Sequence, residues 1–219
     1  MKNKILFISS EFPPGPGGIG NHAYNISNEL TKRGYQVIIN TKSDYVNQKQ
    51  EVSFDKECNF KIYRFKRKKI IVHSWITRLI RIRKTILRYN IKQVIISGEF
   101  SIWTIPFIKI HGEIKIISVI HGTELGKNIF LKWTLFCLAK SNRIISVSNF
   151  TKTLIPKYLE KKAIVINNGV DIDKWKKTDR DRSLTNYPIL LTVGSISIRK
   201  GQYNVIKILP KIIREFPMT

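Results

Sequence analysis

Short apolar runs recur along the chain at a steady beat, and stretches of helical periodicity separate them. The runs KILFIS (4–9), QVIINT (36–41), FKIYRF (60–65), KQVIIS (92–97), IKIISVI (114–120), RIISVS (143–148) and KAIVINNG (162–169) have strand length and are rich in Ile and Val. Helical patterns fill 19–35, 74–89, 102–110, 128–141 and 149–158, while 42–58 reads as a polar loop. Strands that are apolar at successive positions lose water from both faces. A parallel sheet with helices on each side provides that environment. The pattern therefore predicts an α/β fold with a doubly covered parallel sheet.

The texture changes after Gly169. Residues 170–188, VDIDKWKKTDRDRSLTNYP, are polar and charged, as segments that join domains are. ILLTVGS (189–195) supplies one more strand and GQYNVIKILPKIIREF (201–216) one more helix. A lone βα unit cannot bury both faces of its strand. The expected organisation is a first domain at 1–169, a linker at 170–188, and the incomplete start of a second domain at 189–219. The most apolar stretch, KIIVHSWITRLI, is interrupted by His73, Ser74, Thr77 and Arg78, so no transmembrane helix is expected. The N-terminal apolar run is too short for a signal peptide. Cys58 and Cys137 stand isolated, which suits a reducing compartment. A cytoplasmic protein is expected.

EFPPGPGGIG (11–20) follows the first strand, and its Gly15-Pro16-Gly17-Gly18-Ile19-Gly20 has the spacing of the dinucleotide fingerprint. Its context opposes a nicotinamide site. Six residues, Ser9 to Pro14, separate Ile8 from the first glycine, and the second strand ends VIINT without a carboxylate to hold a ribose. Two other readings stay open. The glycines could simply permit positive φ in a connector. Alternatively, Gly17 and Gly18 form a ledge without side chains, where a ligand approaches the backbone and the first amides of the next helix face its negative charge.

Five segments together resemble glycosyltransferase family 4. They are EFPPGPGGIGNHAYNISNELTKRGYQV, ISVIHGTELG (117–126), RIISVSNFTKTLI (143–155), VINNGVDIDKWKK (165–177) and ILLTVGSISIRKGQYNVIKILPKIIREFP (189–217). The resemblance covers nearly the whole chain and is weakest over 42–92. It implies the GT-B fold, two Rossmann-like domains with the active site in the cleft between them. It also implies transfer of a sugar from a nucleotide diphosphate sugar to a glycan or lipid-linked acceptor with retained anomeric configuration, in cell-surface polysaccharide or glycolipid synthesis. The family's donor-domain carboxylate pair is expected beyond Thr219, so the chain alone is expected to lack activity. A non-catalytic acceptor- or membrane-binding remnant is the competing possibility.

In that chemistry the leaving group is a nucleoside diphosphate, so cations and aligned amides must stabilise developing charge on phosphate. Arg199 and Lys200 precede a helix start in GSISIRKGQ, and by the family pattern Lys200 matches the diphosphate lysine and Gly194 a loop glycine beside it. Together with Gly17 and Gly18 these form the expected donor-diphosphate set. Ser195 stands where many members carry arginine, a gap that Arg199 could cover. His121 ends an apolar strand before Gly122, and the matching family histidine approaches the donor sugar, so His121 is the expected catalytic residue. Glu124 and Asn21 are acceptor-side candidates. Asp171-Ile172-Asp173 has D-x-D form but lies in the interdomain segment, and the histidines lack ligand spacing. Neither a metal nor any other cofactor is expected.

The formal charge is +24, and nine Lys or Arg with no acid fall between Lys66 and Tyr89. Such a balance favours phosphorylated ligands or anionic surfaces. With Ser74 as N-cap, a helix over 74–89 gathers Arg78, Arg81, Lys84 and Arg88 on one face and Trp75, Ile76, Leu79, Ile80, Ile82, Ile86 and Leu87 on another, where Arg83 intrudes. One reading is a helix that covers the sheet with solvated cations. The other is a peripheral membrane surface made by Trp75, Arg78, Arg81, Lys84 and Arg88 on the inner face of the cell membrane. The chain shows no helix-turn-helix, zinc module or RNP-like aromatic pattern, so nucleic acid is not an expected partner.

Overall fold

The computed structural model describes residues 3–43, 47–66, 70–110, 112–126, 129–172, 189–194 and 196–217. Contacts divide the chain into two compact units, Met1–Gly169 and Val170–Thr219. In the first unit, strands β1 (Lys4–Ser9), β2 (Gln36–Ser43), β3 (Lys61–Lys66), β4 (Gln93–Ser97), β5 (Lys115–Ile120), β6 (Arg143–Ser146) and β7 (Ala163–Val165) form one sheet. Every adjacent pair is parallel, in the order β3-β2-β1-β4-β5-β6-β7. This is the Rossmann-like α/β architecture expected from the alternating runs.

The period of two along β1 distributes its side chains between two cores. Leu6 and Ile8 join Ile38, Val94, Ile96 and Ile116 on one face, where Ile82, Ile86, Ile105, Ile108 and Leu138 cover them. Those covering residues belong to α3 (Ile71–Tyr89), α5 (Ile105–Lys109) and α6 (Leu131–Ala139). Phe7 joins Phe12, Val37, Ile39 and Phe60 on the other face. There α1 (Gly18–Lys32) and α2 (Gln48–Glu57) contribute Ala23, Tyr24, Leu30 and Phe54. Short helices α4 (Glu99–Ile102), α7 (Asn149–Thr153) and α8 (Lys157–Glu160) complete the connections.

Three local expectations change. The polar segment before β3 contains α2, started by Asn47, whose side chain accepts from the Lys49 amide at 2.8 Å. Its inward face carries Glu51, so apolar periodicity does not reveal it. Helix α3 begins at Ile71, not at Ser74; the Ser74 hydroxyl turns back toward the Ile70 carbonyl four residues earlier. In the second unit, residues 189–194 form no strand, because a strand requires a paired neighbour, and Leu191 and Val193 are exposed. Helix α9 (Gln202–Glu215) follows, with none of its residues buried. The D-x-D residue Asp173 and most of the linker lie outside the described residues, as does Ser195.

Candidate functional site

In the first unit, chain crossings leave β1 and β4 in opposite directions along the sheet, and their carboxyl ends lie side by side with Ser9 opposite Ser97. Such a switch point opens a crevice that helices cannot cover. Two glycines shape it. Gly98, directly after β4, has φ +86 and ψ 147, and a Cβ there would lie 1.8 Å from Ser10 Oγ. Gly17, the N-cap of α1, has φ +149, and a Cβ would lie 2.1 Å from Glu11 Oε2. A Cβ on Gly18 would meet nothing within 4 Å. The first backbone bond of α1 runs from the Asn21 amide to the Gly17 carbonyl at 3.1 Å, so the amides of Gly18, Ile19 and Gly20 have no intrahelical acceptor. Asn21 itself is exposed at this end of the helix.

His121 sits immediately beyond β5, and its Nε2 shares a 2.9 Å hydrogen bond with Ser97 Oγ at the end of β4. The His22 ring, from the first turns of α1, meets the His121 ring edge-on with centroids 5.0 Å apart. Burial, and then the charge of His22, lowers the His121 pKa to about 4. Burial also lowers that of His22, whose Nδ1 is sheltered without a hydrogen-bond partner. Both rings are therefore neutral near pH 7. A neutral imidazole can exchange hydrogen bonds with sugar hydroxyls without adding charge to the crevice.

Glu124 is 1 % exposed, and its Oε2 accepts from the His121 backbone amide at 2.9 Å. Its Oε2 grips the loop backbone and not the imidazole. Burial pushes its carboxyl pKa up, against the pull of the Glu124, His121 and Gly122 amides. The glycine loop is held from the other side. The Arg64 guanidinium of β3 donates to the Pro13 carbonyl and pairs with Asp55 at 2.8 Å and Glu51 at 3.6 Å. Sequence reasoning missed His22, Ser97 and Arg64. His22 and Ser97 carried a visible signal, since one follows the glycine loop by one helical turn and the other ends a strand before a glycine. Arg64 carried none, because its partners are remote in sequence.

In the second unit, a 3₁₀ turn at Ile198–Lys200 leads through Gly201 into α9. The Lys200 side chain lies against Gly194, whose added Cβ would fall 3.5 Å from Lys200 Cδ. The Arg199 side chain lies outside the described residues.

The basic helix does not present the face expected of it. Arg78 is buried and donates 2.7 Å hydrogen bonds to the Phe100 carbonyl and to Ser101 Oγ. Trp75 is half-buried and stacks on Trp103, with centroids 6.0 Å apart. Arg78, held against α4, is therefore not part of an exposed surface, whereas Trp75 keeps part of its ring open. Arg81, Lys84 and Arg88 are exposed. No helix of the described residues is long and apolar enough to cross a membrane.

An open parallel sheet with a glycine-led helix at its switch point defines a Rossmann-like α/β domain. Comparisons with known proteins narrow the class. The model of Glycosyltransferase Family 4 matches residues 16–174, and the chain belongs to that family. It is 24% identical over 252 residues to glycogen synthase of Mycobacterium tuberculosis, with 99% of this chain and 60% of that protein covered. It is 25% identical over 230 residues to a phosphatidylinositol N-acetylglucosaminyltransferase polypeptide of Arabidopsis thaliana, covering 99% of this chain and 50% of that one. The chain thus spans about half to three fifths of the curated relatives it matches. Among solved structures, a glycosyltransferase from Rickettsia africae superposes with TM-score 0.73 at 21% identity, covering 97% of this chain and 58% of that one. Anabaena HepE in complex with UDP-glucose gives 0.71 at 14% identity, with 95% and 57% covered. At these identities the solved structures establish the fold.

Proposed function

We propose that the protein transfers a sugar from a nucleotide diphosphate sugar to a glycan or lipid-linked acceptor, with retention at the anomeric carbon. The observation that best supports this is the convergence of Gly17, Gly18, Ser97, His22 and His121 at one carboxyl edge of the sheet. Gly18 leaves room for a polar ligand beside the Glu11 carboxylate that packs on Gly17, and the first α1 amides, which have no intrahelical acceptor, favour its anionic part. His121, oriented by Ser97, contacts the sugar and is the catalytic candidate. In the second unit, Lys200 beside Gly194, with Arg199 next to it in sequence, takes the donor diphosphate. A nucleotide-sugar donor also agrees with the family and with the UDP-glucose carried by the structurally similar HepE.

The test uses the protein as its native gene encodes it, incubated with radiolabelled nucleotide sugars and extracted cell-envelope glycans and lipids. Wild type should move label into an acceptor, and His121→Ala should lower the rate by about tenfold or more, the scale expected when one positioned proton-exchanging group is lost. Equal rates for the two proteins, or no transfer from any nucleotide sugar, would overturn the proposal.

A further inference from the structure

We propose that a pocket between α3 and β3, away from the switch point, binds a terminal phosphate group. Its volume is about 180 Å³, and Tyr63, Arg81, Lys84, Thr85, Arg88 and Tyr89 line it. Sites for drug-sized molecules run to roughly 300–1,000 Å³. This one suits a compact anion and is too small for a nucleotide sugar.

The lining has the chemistry for that anion. Arg81, Lys84 and Arg88 fall at helical spacing on one side of α3, and all are exposed. Among the described residues no carboxylate forms an ion pair with any of them. Arg81 donates to the Arg64 carbonyl, a neutral acceptor, so its charge stays uncompensated. Thr85 is satisfied internally, accepting from Asn40 Nδ2 at 3.1 Å and donating to the Arg81 carbonyl at 2.9 Å, and so serves as wall. The Tyr63 and Tyr89 hydroxyls share a 2.7 Å hydrogen bond. Two hydroxyls sharing one bond keep one O–H to donate outward. Lys61 and Arg88 also lie over the Tyr89 ring, at 5.8 and 5.7 Å, which adds positive potential at this edge. Three gathered cations repel one another until an anion enters. Guanidinium forks match phosphate oxygens in a way they do not match chloride.

The phosphate has two sources, a lipid headgroup or a free phosphate. On a wheel of about 100° per residue, the exposed Val72, Ile76, Ile80 and Leu87 form a stripe next to the cations, with Arg83 set within it. That stripe would carry the pocket to a lipid surface, and the two sources separate by experiment. This proposal stands apart from the transfer reaction and does not depend on it.

Binding is measured by calorimetry with inorganic phosphate at matched ionic strength, and by flotation on phosphatidylcholine vesicles containing phosphatidic acid or charge-matched phosphatidylglycerol. The proteins are wild type, Lys84→Glu/Arg88→Glu, and Lys157→Glu/Lys161→Glu at the opposite edge of the sheet, each checked for fold by circular dichroism. The expected result is binding of inorganic phosphate, or preferential flotation with phosphatidic acid, weakened about tenfold or more in the first variant and kept in the second. Phosphate binding supports a free anion as ligand, and phosphatidic acid preference without it supports a headgroup. If wild type binds neither probe, if both lipids act equally without phosphate binding, or if the remote variant loses as much as the pocket variant, the pocket is not a phosphate site.

Discussion

Replacing Gly98 with alanine tests whether the two strand ends of the switch point close on each other as tightly as described. The backbone there sits at φ +86 and ψ 147, close to a region that only glycine occupies readily. Strain of that kind costs about 1–3 kcal/mol. The new methyl would also lie 1.8 Å from Ser10 Oγ and 2.8 Å from Ser10 Cβ. The hydroxyl can rotate away, but Cβ is fixed to the backbone, so the loop after β1 must move. Overpacking of this size costs about 1–3 kcal/mol. The sum is a loss of about 2–6 kcal/mol, a large part of the total for a domain stable by about 5–15 kcal/mol. Urea unfolding followed by tryptophan fluorescence measures it. Adding Ser10→Gly should restore the overpacking share and leave the backbone share, so the pair should couple by about 1–3 kcal/mol. A Gly98→Ala protein within about 0.5 kcal/mol of wild type would refute the geometry. So would a double variant no more stable than the single one.

Three other perturbations probe the surroundings. Arg64→Ala leaves Glu51, which is 4 % exposed, as a buried carboxylate without its counter-charge and with the Ser43 hydroxyl as donor, and should cost about 3–5 kcal/mol in urea unfolding, with partial recovery in Arg64→Met/Glu51→Gln. Arg78→Ala leaves the Phe100 carbonyl and Ser101 hydroxyl without their donor, and at about 1–3 kcal/mol for each stranded group should cost about 2–6 kcal/mol by the same assay. The pKa of His121 lies at about 4 in the fold against an ordinary 6.5, so between those values the unfolded chain holds more protons. Stability should fall as pH drops through that window, and urea midpoints across it should fall less steeply in His121→Gln; equal slopes would show that the ring is not buried as described.

The chemistry of individual residues explains which features were legible. Strands such as KILFIS announce themselves because both sheet faces demand apolar side chains, so periodicity records burial directly. Helix α2 escaped because its inward face carries Glu51, which a remote arginine neutralises. Arg78 was misplaced for the same reason in reverse. On a helical wheel a cation looks solvated, but two oxygen acceptors after β4 and the rings of Phe65 and Trp75 draw it inward.

At the site the division follows range. The parallel α/β class, the glycine-rich entrance to α1, the position of His121 at a strand end, and the family can all be read along the chain, because local spacing and backbone freedom express them within a few residues. The long-range arrangement is what makes Ser97 orient His121, brings His22 to face it, and sets Glu124 to hold the loop backbone. It also joins Tyr63 and Tyr89 to three cations around one pocket. Those groups are brought together by strand order, and strand order depends on how distant segments bury one another, which no local pattern records.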